Sequence, residues 1–320
     1  MSEEKRLEVE ISVVVPAYNE AESLPALARE TAGALEGRTW ELLIVDDGST
    51  DGTWAAIRSL VGGYPVRGFR FGSNRGKAAA LAAGFAEASG RYVATLDADL
   101  QDDPSEIPAM ISMLESQRLG MVSGWKKTRH DPLGKRLPSR IFNSVVSRAT
   151  ALPLHDFNCG LKVYAADAAR GLDLYGEMHR YTPVLVSQLG YAVAEKPVNH
   201  RPRKFGRSKY GPARFFRGYA DLLTVLYLHR YSFRPLHFFG GIGTTLFIAG
   251  LLISSYLSVL WFMGESIGRR PLLLLGFFLM MIGFQFVSLG LLGEMQLRLS
   301  PYKRPYNIVE ETGRGAARES

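Results

Sequence analysis

Residues 91–101 read RYVATLDADLQ. An apolar, partly β-branched run ends in two aspartates separated by one alanine. The run predicts a strand over 91–96, so Asp97 and Asp99 stand at its carboxyl end with Gln101 just beyond. The same arrangement recurs upstream. Ile11-Ser-Val-Val-Val15 is a strand candidate that stops at Pro16, followed by Tyr18-Asn19-Glu20. Trp40 to Val45 is the next, ended by Asp46-Asp47-Gly48-Ser49. Val66 to Phe71 is a third and precedes Asn74-Arg75-Gly76-Lys77; Met121-Val122-Ser123 begins a fifth after the run at 91–96. Helical patterns alternate with these runs. Asn19 with Glu22 predicts an N-cap and capping box for a helix to about Leu35. Residues 51–60 are helical in pattern, and an Ala-rich helix runs from Lys77 to Ala88. Strands and helices alternating at this spacing predict an α/β protein with a doubly wound, mostly parallel sheet. Such sheets bind ligands at the carboxyl ends of their strands, where all four polar motifs fall.

Each motif also has a plainer reading. Asn19 serves as a helix cap, Asp47-Gly48 as a turn, and Ser49 as the next cap. The stretch Gly72 to Lys77 is too short between its glycines for a Walker A loop, and Ala78 replaces the required Ser or Thr. No G-x-G-x-x-G follows the first strand, which weighs against a dinucleotide enzyme. A lone Asp-x-Asp is a weak signal, but here both carboxylates sit on one rigid strand edge. With Gln101 they form a set of hard oxygen donors, suited to Mg2+ or Mn2+ shared with a diphosphate.

The charge of the chain is unevenly placed. Lys and Arg number 38 against 31 Asp and Glu, a net charge of +7. The excess is concentrated in residues 124–148 and 201–234, leaving the rest of the chain acidic. Anionic headgroups or a phosphorylated lipid explain basic clusters beside apolar runs better than nucleic acid does, so no nucleic-acid partner is expected. The single Cys159 excludes an internal disulfide framework and any multi-cysteine metal site. The start, MSEEKR, has no apolar core of a signal peptide and is expected to stay in the cytoplasm.

Phe238 to Gly264 and Pro271 to Gly293 carry no formal charge. Each exceeds the ~20 helical residues that a bilayer core requires, and the short connection makes them a transmembrane helical hairpin. Tyr256 and Trp261 lie toward the end of the first span, as interfacial aromatics do. Arg230, Arg234, Arg298, Lys303 and Arg304 flank the outer ends, against Arg269 and Arg270 in the connection. This bias places both termini in the cytoplasm of an inner (plasma) membrane protein with two spans. The expected organisation is a cytoplasmic catalytic domain over 1–210, a juxtamembrane amphipathic helix over 211–235, two spans over 236–296, and a cytoplasmic tail over 297–320. Phe215, Tyr219, Leu222 and Leu226 form one apolar stripe with Arg214 and Arg217 nearby; Ile141, Phe142, Val145, Val146 and Ala149 form another. Both stripes are expected to lie in the membrane interface.

ISVVVPAYNE (11–20), DDGSTD (46–51), NRGK (74–77) and DADLQ (97–101) together resemble the inverting, GT-A fold glycosyltransferases of family 2. HDFNCG (155–160), GRSKY (206–210) and the paired spans narrow the resemblance to polyprenyl-phosphate glycosyltransferases. That group includes dolichyl-phosphate mannose synthases and bacterial undecaprenyl-phosphate glucosyltransferases, and the two-span end is similar to the bacterial branch. The resemblance covers roughly residues 10 to 300. It implies that Pro16, Ala17, Tyr18, Glu20, Asp46, Asp47, Lys77 and Asp97 bind the nucleotide sugar, with Asp47 on the base. It implies Asp97, Asp99 and Gln101 as the Mg2+ or Mn2+ site. Arg140, Ser144, Arg203, Ser208 and Lys209 fall where the family places acceptor-phosphate contacts. Asp156 matches an aspartate discussed as a base, though orienting neighbours or capping a turn would serve equally.

The implied reaction is attack of a polyprenyl (undecaprenyl) phosphate on the anomeric carbon of a nucleotide sugar. A monoester phosphate has its second pKa near ~6 and is largely dianionic at neutral pH, so it needs little base assistance. UDP-glucose is the favoured donor and GDP-mannose the alternative, with N-acetylglucosamine and modified arabinose donors also open. A processive polysaccharide synthase is disfavoured because no Gln-x-x-Arg-Trp occurs. A non-enzymatic membrane scaffold is disfavoured by the intact DDGS and DAD blocks. Expected partners are the nucleotide sugar, the polyprenyl phosphate and the lipid bilayer, with homo-oligomerisation left open.

Overall fold

In the computed structural model of the 320-residue chain the described residues are 9–127, 143–144, 146–148, 150–176, 178–201, 235–266 and 271–299. They fall into two compact units, divided between residues 201 and 235.

The first unit is built on a sheet of seven strands: β1 (Ile11–Ala17), β2 (Trp40–Asp46), β3 (Val66–Arg70), β4 (Tyr92–Thr95), β5 (Met121–Trp125), β6 (Lys162–Ala165) and β7 (Val193–Pro197). Their order is β3-β2-β1-β4-β6-β5-β7. The β3-β2, β2-β1, β1-β4 and β5-β7 pairs are parallel, and β6 runs antiparallel to both β4 and β5. The expected α/β class and mostly parallel sheet are present. Helices α1 (Leu24–Ala34), α2 (Thr53–Leu60), α3 (Lys77–Glu87), α4 (Ile107–Ser116), α5 (Ala166–Arg170) and α6 (Thr182–Gln188) connect the strands.

The central strands are buried on both faces, as the near-continuous apolar runs of β1 and β2 require. Val13, Val15, Leu42, Ile44 and Ala94 pack with Leu24, Leu27 and Ala28 of α1 and with Ile107, Met110 and Ile111 of α4 in one core. β1 continues through Pro16 to Ala17, where the sequence predicts a stop. Val14 accepts from Leu96 N on the β4 side, so Pro16, two residues on, faces that side too. The β1-β4 ladder is paired only as far as Val14 and Thr95, so the missing N–H of Pro16 disrupts no bond.

Two local expectations are corrected. Asn19 does not cap a helix. It adopts φ 55, a left-handed conformation that asparagine tolerates, and its Oδ1 accepts from Thr50 N at 2.9 Å. α1 starts five residues later, with Ser23 at the cap position and a proline in the first turn. In the first basic region, Val146 is fully buried instead of facing the interface. Its helical stretch is tied inward by Asn143 Nδ2 donating to His155 O (2.8 Å) and Ser147 Oγ donating to Leu152 O (2.7 Å). Ile141, Phe142, Val145 and Ala149, and the whole expected stripe from Phe215 to Leu226, lie outside the described residues.

The second unit consists of α7 (Pro235–Phe262) and α8 (Pro271–Leu299). Both are long and apolar enough to cross a bilayer. They meet along glycines: a Cβ at Gly243 would stand 2.6 Å from the carbonyl oxygen of Gly283, and one at Gly250 2.5 Å from that of Gly276. Backbone-to-backbone contact of this kind is how small residues pack helices where lipid removes the hydrophobic drive. The outward side chains, among them Leu252, Phe262, Leu274 and Phe284, are exposed, unlike those of a buried core helix.

Candidate active site

The carboxyl ends of β1, β2 and β4 come together at one edge of the sheet, with the residues just after them. The turn after β2 is the most heavily bonded part. Asp46 is fully buried; its Oδ1 accepts from Ser49 N at 2.9 Å, and its Oδ2 pairs with Arg70 Nε at 3.2 Å. Asp47 Oδ1 accepts from Arg75 N (2.6 Å) and Oδ2 from Gly76 N (2.9 Å). The aspartate expected on the base therefore also folds the NRGK loop over the strand ends. The β1 end is joined to the same turn: Ser49 Oγ accepts from Asn19 N and Thr53 Oγ1 from Glu20 N, both at 2.8 Å. Pro16, Tyr18 and Glu20 are half-buried here and Ala17 is buried.

The NRGK loop delivers Lys77, the first residue of α3, to the end of β4, where its Nζ is bonded to Asp97 Oδ1. Burial pushes the Asp97 carboxyl upward, but the charges of Lys77 and then Lys126 outweigh it and hold the group well below the ordinary aspartate range. Asp99 is buried and its Oδ1 accepts from Gln101 N at 3.2 Å, in a turn where Leu100 takes φ 62. Gln101 is bracketed by Arg201: Arg201 N donates to Gln101 O at 2.9 Å, and Gln101 Nε2 donates to Arg201 O at 3.5 Å. Arg201 also pairs with Asp103 at 2.7 Å and Glu30 at 2.5 Å.

The other wall comes from HDFNCG. Gly160 lies so close that a Cβ there would stand 2.6 Å from both Asp97 Oδ2 and Asp102 Oδ2. Thr95 Oγ1 donates to Gly160 O at 2.7 Å, pinning this approach. Asp102 is buried and pairs with Lys126 Nζ at 2.9 Å. Burial drives the Lys126 amine down, yet the neighbouring negative groups, Asp102 foremost and Asp97 with it, together outweigh burial and raise it. Asp156 is buried, and its Oδ1 accepts from Asn158 N at 3.1 Å, the turn-capping role considered above. Burial pushes the Cys159 thiol up to about 12, which keeps it protonated and inert.

Could these residues hold a divalent cation? Asp97, Asp99 and Gln101 supply carboxylate and amide oxygens on one short turn, the hard donors that Mg2+ and Mn2+ take. No three acidic, His or Cys side chains converge as an all-protein cage among the described residues. The set fits an ion whose remaining ligands are substrate oxygens and water.

The sequence reading missed three participants: Asp102, Lys126 and the turn Met178–Arg180. That turn packs against α3. Burial first, then the charge of Lys77, pushes the His179 imidazole far below its usual value, which keeps it neutral. Nothing in local composition marks these residues, because their partners are remote in sequence. Of the expected acceptor contacts, Ser144 is exposed on its helical stretch. Arg140, Arg203, Ser208 and Lys209 lie outside the described residues.

Residues 12–172 match the family described as glycosyl transferase family 2. The dodecaprenyl-phosphate galacturonate synthase of Rhizobium johnstonii is 41% identical over 298 residues, covering 91% of this chain and 88% of that protein. The undecaprenyl-phosphate 4-deoxy-4-formamido-L-arabinose transferase of Salmonella paratyphi A is 34% identical over 290 residues, covering 89% and 87%. Among solved structures, glucosyl-3-phosphoglycerate synthase from Mycobacterium tuberculosis, in complex with Mn2+, UDP and phosphoglyceric acid, superposes with a TM-score of 0.56. Its identity is 17%, and the match covers 69% of this chain and 78% of that one. At that identity the likeness concerns the fold alone.

Proposed function

Because the chain belongs to glycosyl transferase family 2, we propose that it transfers one sugar, with inversion, from a nucleotide sugar to a polyprenyl phosphate at the cytoplasmic face of the inner membrane. The observation that carries this reading is the end of β4. An aspartate held ionised by Lys77 stands two residues before a second, buried aspartate, on the strand edge where nucleotides bind in sheets of this kind. The Rhizobium and Salmonella relatives, whose names specify polyprenyl-phosphate products, extend over nearly the whole chain.

Each residue group has a task. The turn built by Asp46, Asp47 and Ser49, with Pro16 to Glu20, shapes the nucleoside pocket, and Lys77 faces the diphosphate. A cation bound by Asp97, Asp99 and Gln101 would neutralise charge on the departing diphosphate. The acceptor phosphate is already dianionic, so the protein's work is to bring two anions together and orient them. Asp156, bonded to Asn158 N, orients the HDFN turn and is not required as a base. The basic positions Arg140, Ser144, Arg203, Ser208 and Lys209 are assigned to the acceptor phosphate. α7 and α8 span the bilayer, with the catalytic unit and both termini cytoplasmic.

The expected donor, UDP-glucose, has no counterpart in the names of the two relatives, so a hexuronate goes first in the assay. Nucleotide release is measured with UDP-galacturonate, UDP-glucose, GDP-mannose and a formamido-arabinose donor, each with and without undecaprenyl phosphate and Mg2+ or Mn2+. Release that requires the lipid and falls at least ~100-fold on replacing Asp97 and Asp99 by Ala is the expected result. Undiminished transfer by that double variant would remove the reading.

A further inference from the structure

Lys162 opens β6 with its side chain buried, in register with Thr95 of β4 and Ser123 of β5. A buried amine normally has a carboxylate partner. This one has no ion pair among the described residues. Its Nζ donates instead to three neutral oxygens: Phe157 O at 3.2 Å, His179 O at 3.3 Å and Thr182 Oγ1 at 2.9 Å. Only the protonated amine has three hydrogens to give.

The acceptors belong to two separate stretches. Phe157 lies in the segment from Asp156 to Gly160, whose last residue touches Asp97. His179 and Thr182 belong to the Met178–Arg180 turn and the start of α6. His179 also lies within the electrostatic reach of Lys77, Arg180 and Asp97, so the turn borders the same site. We propose that Lys162 is a positioning residue for sugar transfer: its charged amine clamps the Met178–Arg180 turn to the Asp156–Gly160 segment, setting the wall beside Asp97. The proposal rests on the transferase reading for its kinetic consequence but not for the clamp itself.

Burial pushes the Lys162 amine down to about 8, opposed by Cys159, Asp156 and Asp97 and assisted by Lys77. Tyr164 OH meets the clamp at Thr182 Oγ1, 3.1 Å away. As pH rises through about 8 the amine keeps two hydrogens for three acceptors, and the clamp loosens. Stability moves the opposite way. The folded value lies below the ordinary lysine value of 10.5, so the unfolded chain binds more protons between the two and folding is favoured as pH climbs. A residue that mattered only for stability would not make activity fall where stability grows.

The test uses the full chain in detergent, comparing wild type, Lys162→Met, Thr182→Val and Thr182→Ser by hydrogen exchange and by transfer rate from pH 6.5 to 9.5. In Lys162→Met, exchange over 157–161 and 178–182 should accelerate at least tenfold, while β1 to β3 stay protected. Its kcat should fall at least tenfold with donor KM within threefold, and the alkaline decline of wild type should be absent. In Thr182→Val, which removes at similar volume the nearest oxygen stabilising the charged amine, the proton should be lost earlier and the decline should begin at lower pH, and Thr182→Ser should restore it. Unaltered exchange in the two segments of Lys162→Met, or retention of the wild-type decline, overturns the proposal. If Lys162→Met does not fold, an unmoved decline in Thr182→Val overturns it. A wild-type protein that releases nucleotide from no donor defeats the transferase reading, and the exchange data still decide the clamp.

Discussion

Gly160 stands against Asp97: a Cβ on this glycine would lie 2.6 Å from the aspartate's Cγ and Oδ2, and 2.6 Å from Asp102 Oδ2. Two carboxylates therefore close on one backbone position contributed by a segment more than 50 residues downstream. Gly160→Ala is expected to displace Asp97, with about 1–3 kcal/mol lost to overpacking and transfer reduced at least ~100-fold. Thermal unfolding paired with a donor-turnover assay checks this; wild-type turnover in a folded Ala variant would refute the close approach.

The Lys77–Asp97 pair makes a prediction about pH. With Lys77 in place the carboxyl is held below its ordinary value of 3.8, and the associated stability is lost only as pH falls through that depressed value. In Lys77→Met the upward push of burial is left with less opposition. The acid limb of the pH–rate profile should then shift to higher pH, with donor kcat/KM down about 100-fold. An unshifted acid limb would show that Asp97 is ionised by other means.

Arg201 joins Glu30, Asp103 and the backbone of Gln101. Its side chain is partly exposed, so Arg201→Met should cost less than ~1 kcal/mol of stability. The loop carrying Gln101 should loosen, raising the divalent-cation concentration needed for half-maximal turnover several-fold. Cation titrations of the two proteins measure it directly; matching curves would show that the side-chain pairs with Glu30 and Asp103 are not what holds the backbone bracket on Gln101.

In the hairpin, Gly283→Leu would drive a side chain into the backbone of α7 near Gly243 and Phe247. The helices should separate, lowering the unfolding temperature of the full chain in detergent, with nucleotide affinity unchanged. Retention of the wild-type melting temperature would show that the seam tolerates bulk.

The strands β1 to β5 and the clustering of their polar ends were legible in the sequence, because each apolar run is cut off by Asp, Asn, Gly or Pro. β6 and β7 were not. β6 has four residues and begins with a lysine, a type that reads as surface, yet Lys162 is buried because three oxygens from distant segments receive it. The Asp102–Lys126 pair was hidden for the same reason: each residue is ordinary alone, and only the fold joins them. Asn19 was misread because its preference for caps and its tolerance of positive φ produce the same local signature. Most of the expected acceptor positions lie outside the described residues, so the lipid end of the site rests on the sequence.

β6 enters the sheet between β4 and β5 in the reverse direction. The chain therefore leaves the sheet after Trp125 and returns at Lys162, on the adjoining strand and at the same edge. The register of β6 is set by its pairing with β4 and β5 and not by the length of chain between Trp125 and Lys162. Insertions or deletions between Lys126 and Asp156 would therefore leave the strand pairing in place, whereas the two ends of that stretch are anchored, Lys126 to Asp102 and Gly160 against Asp97.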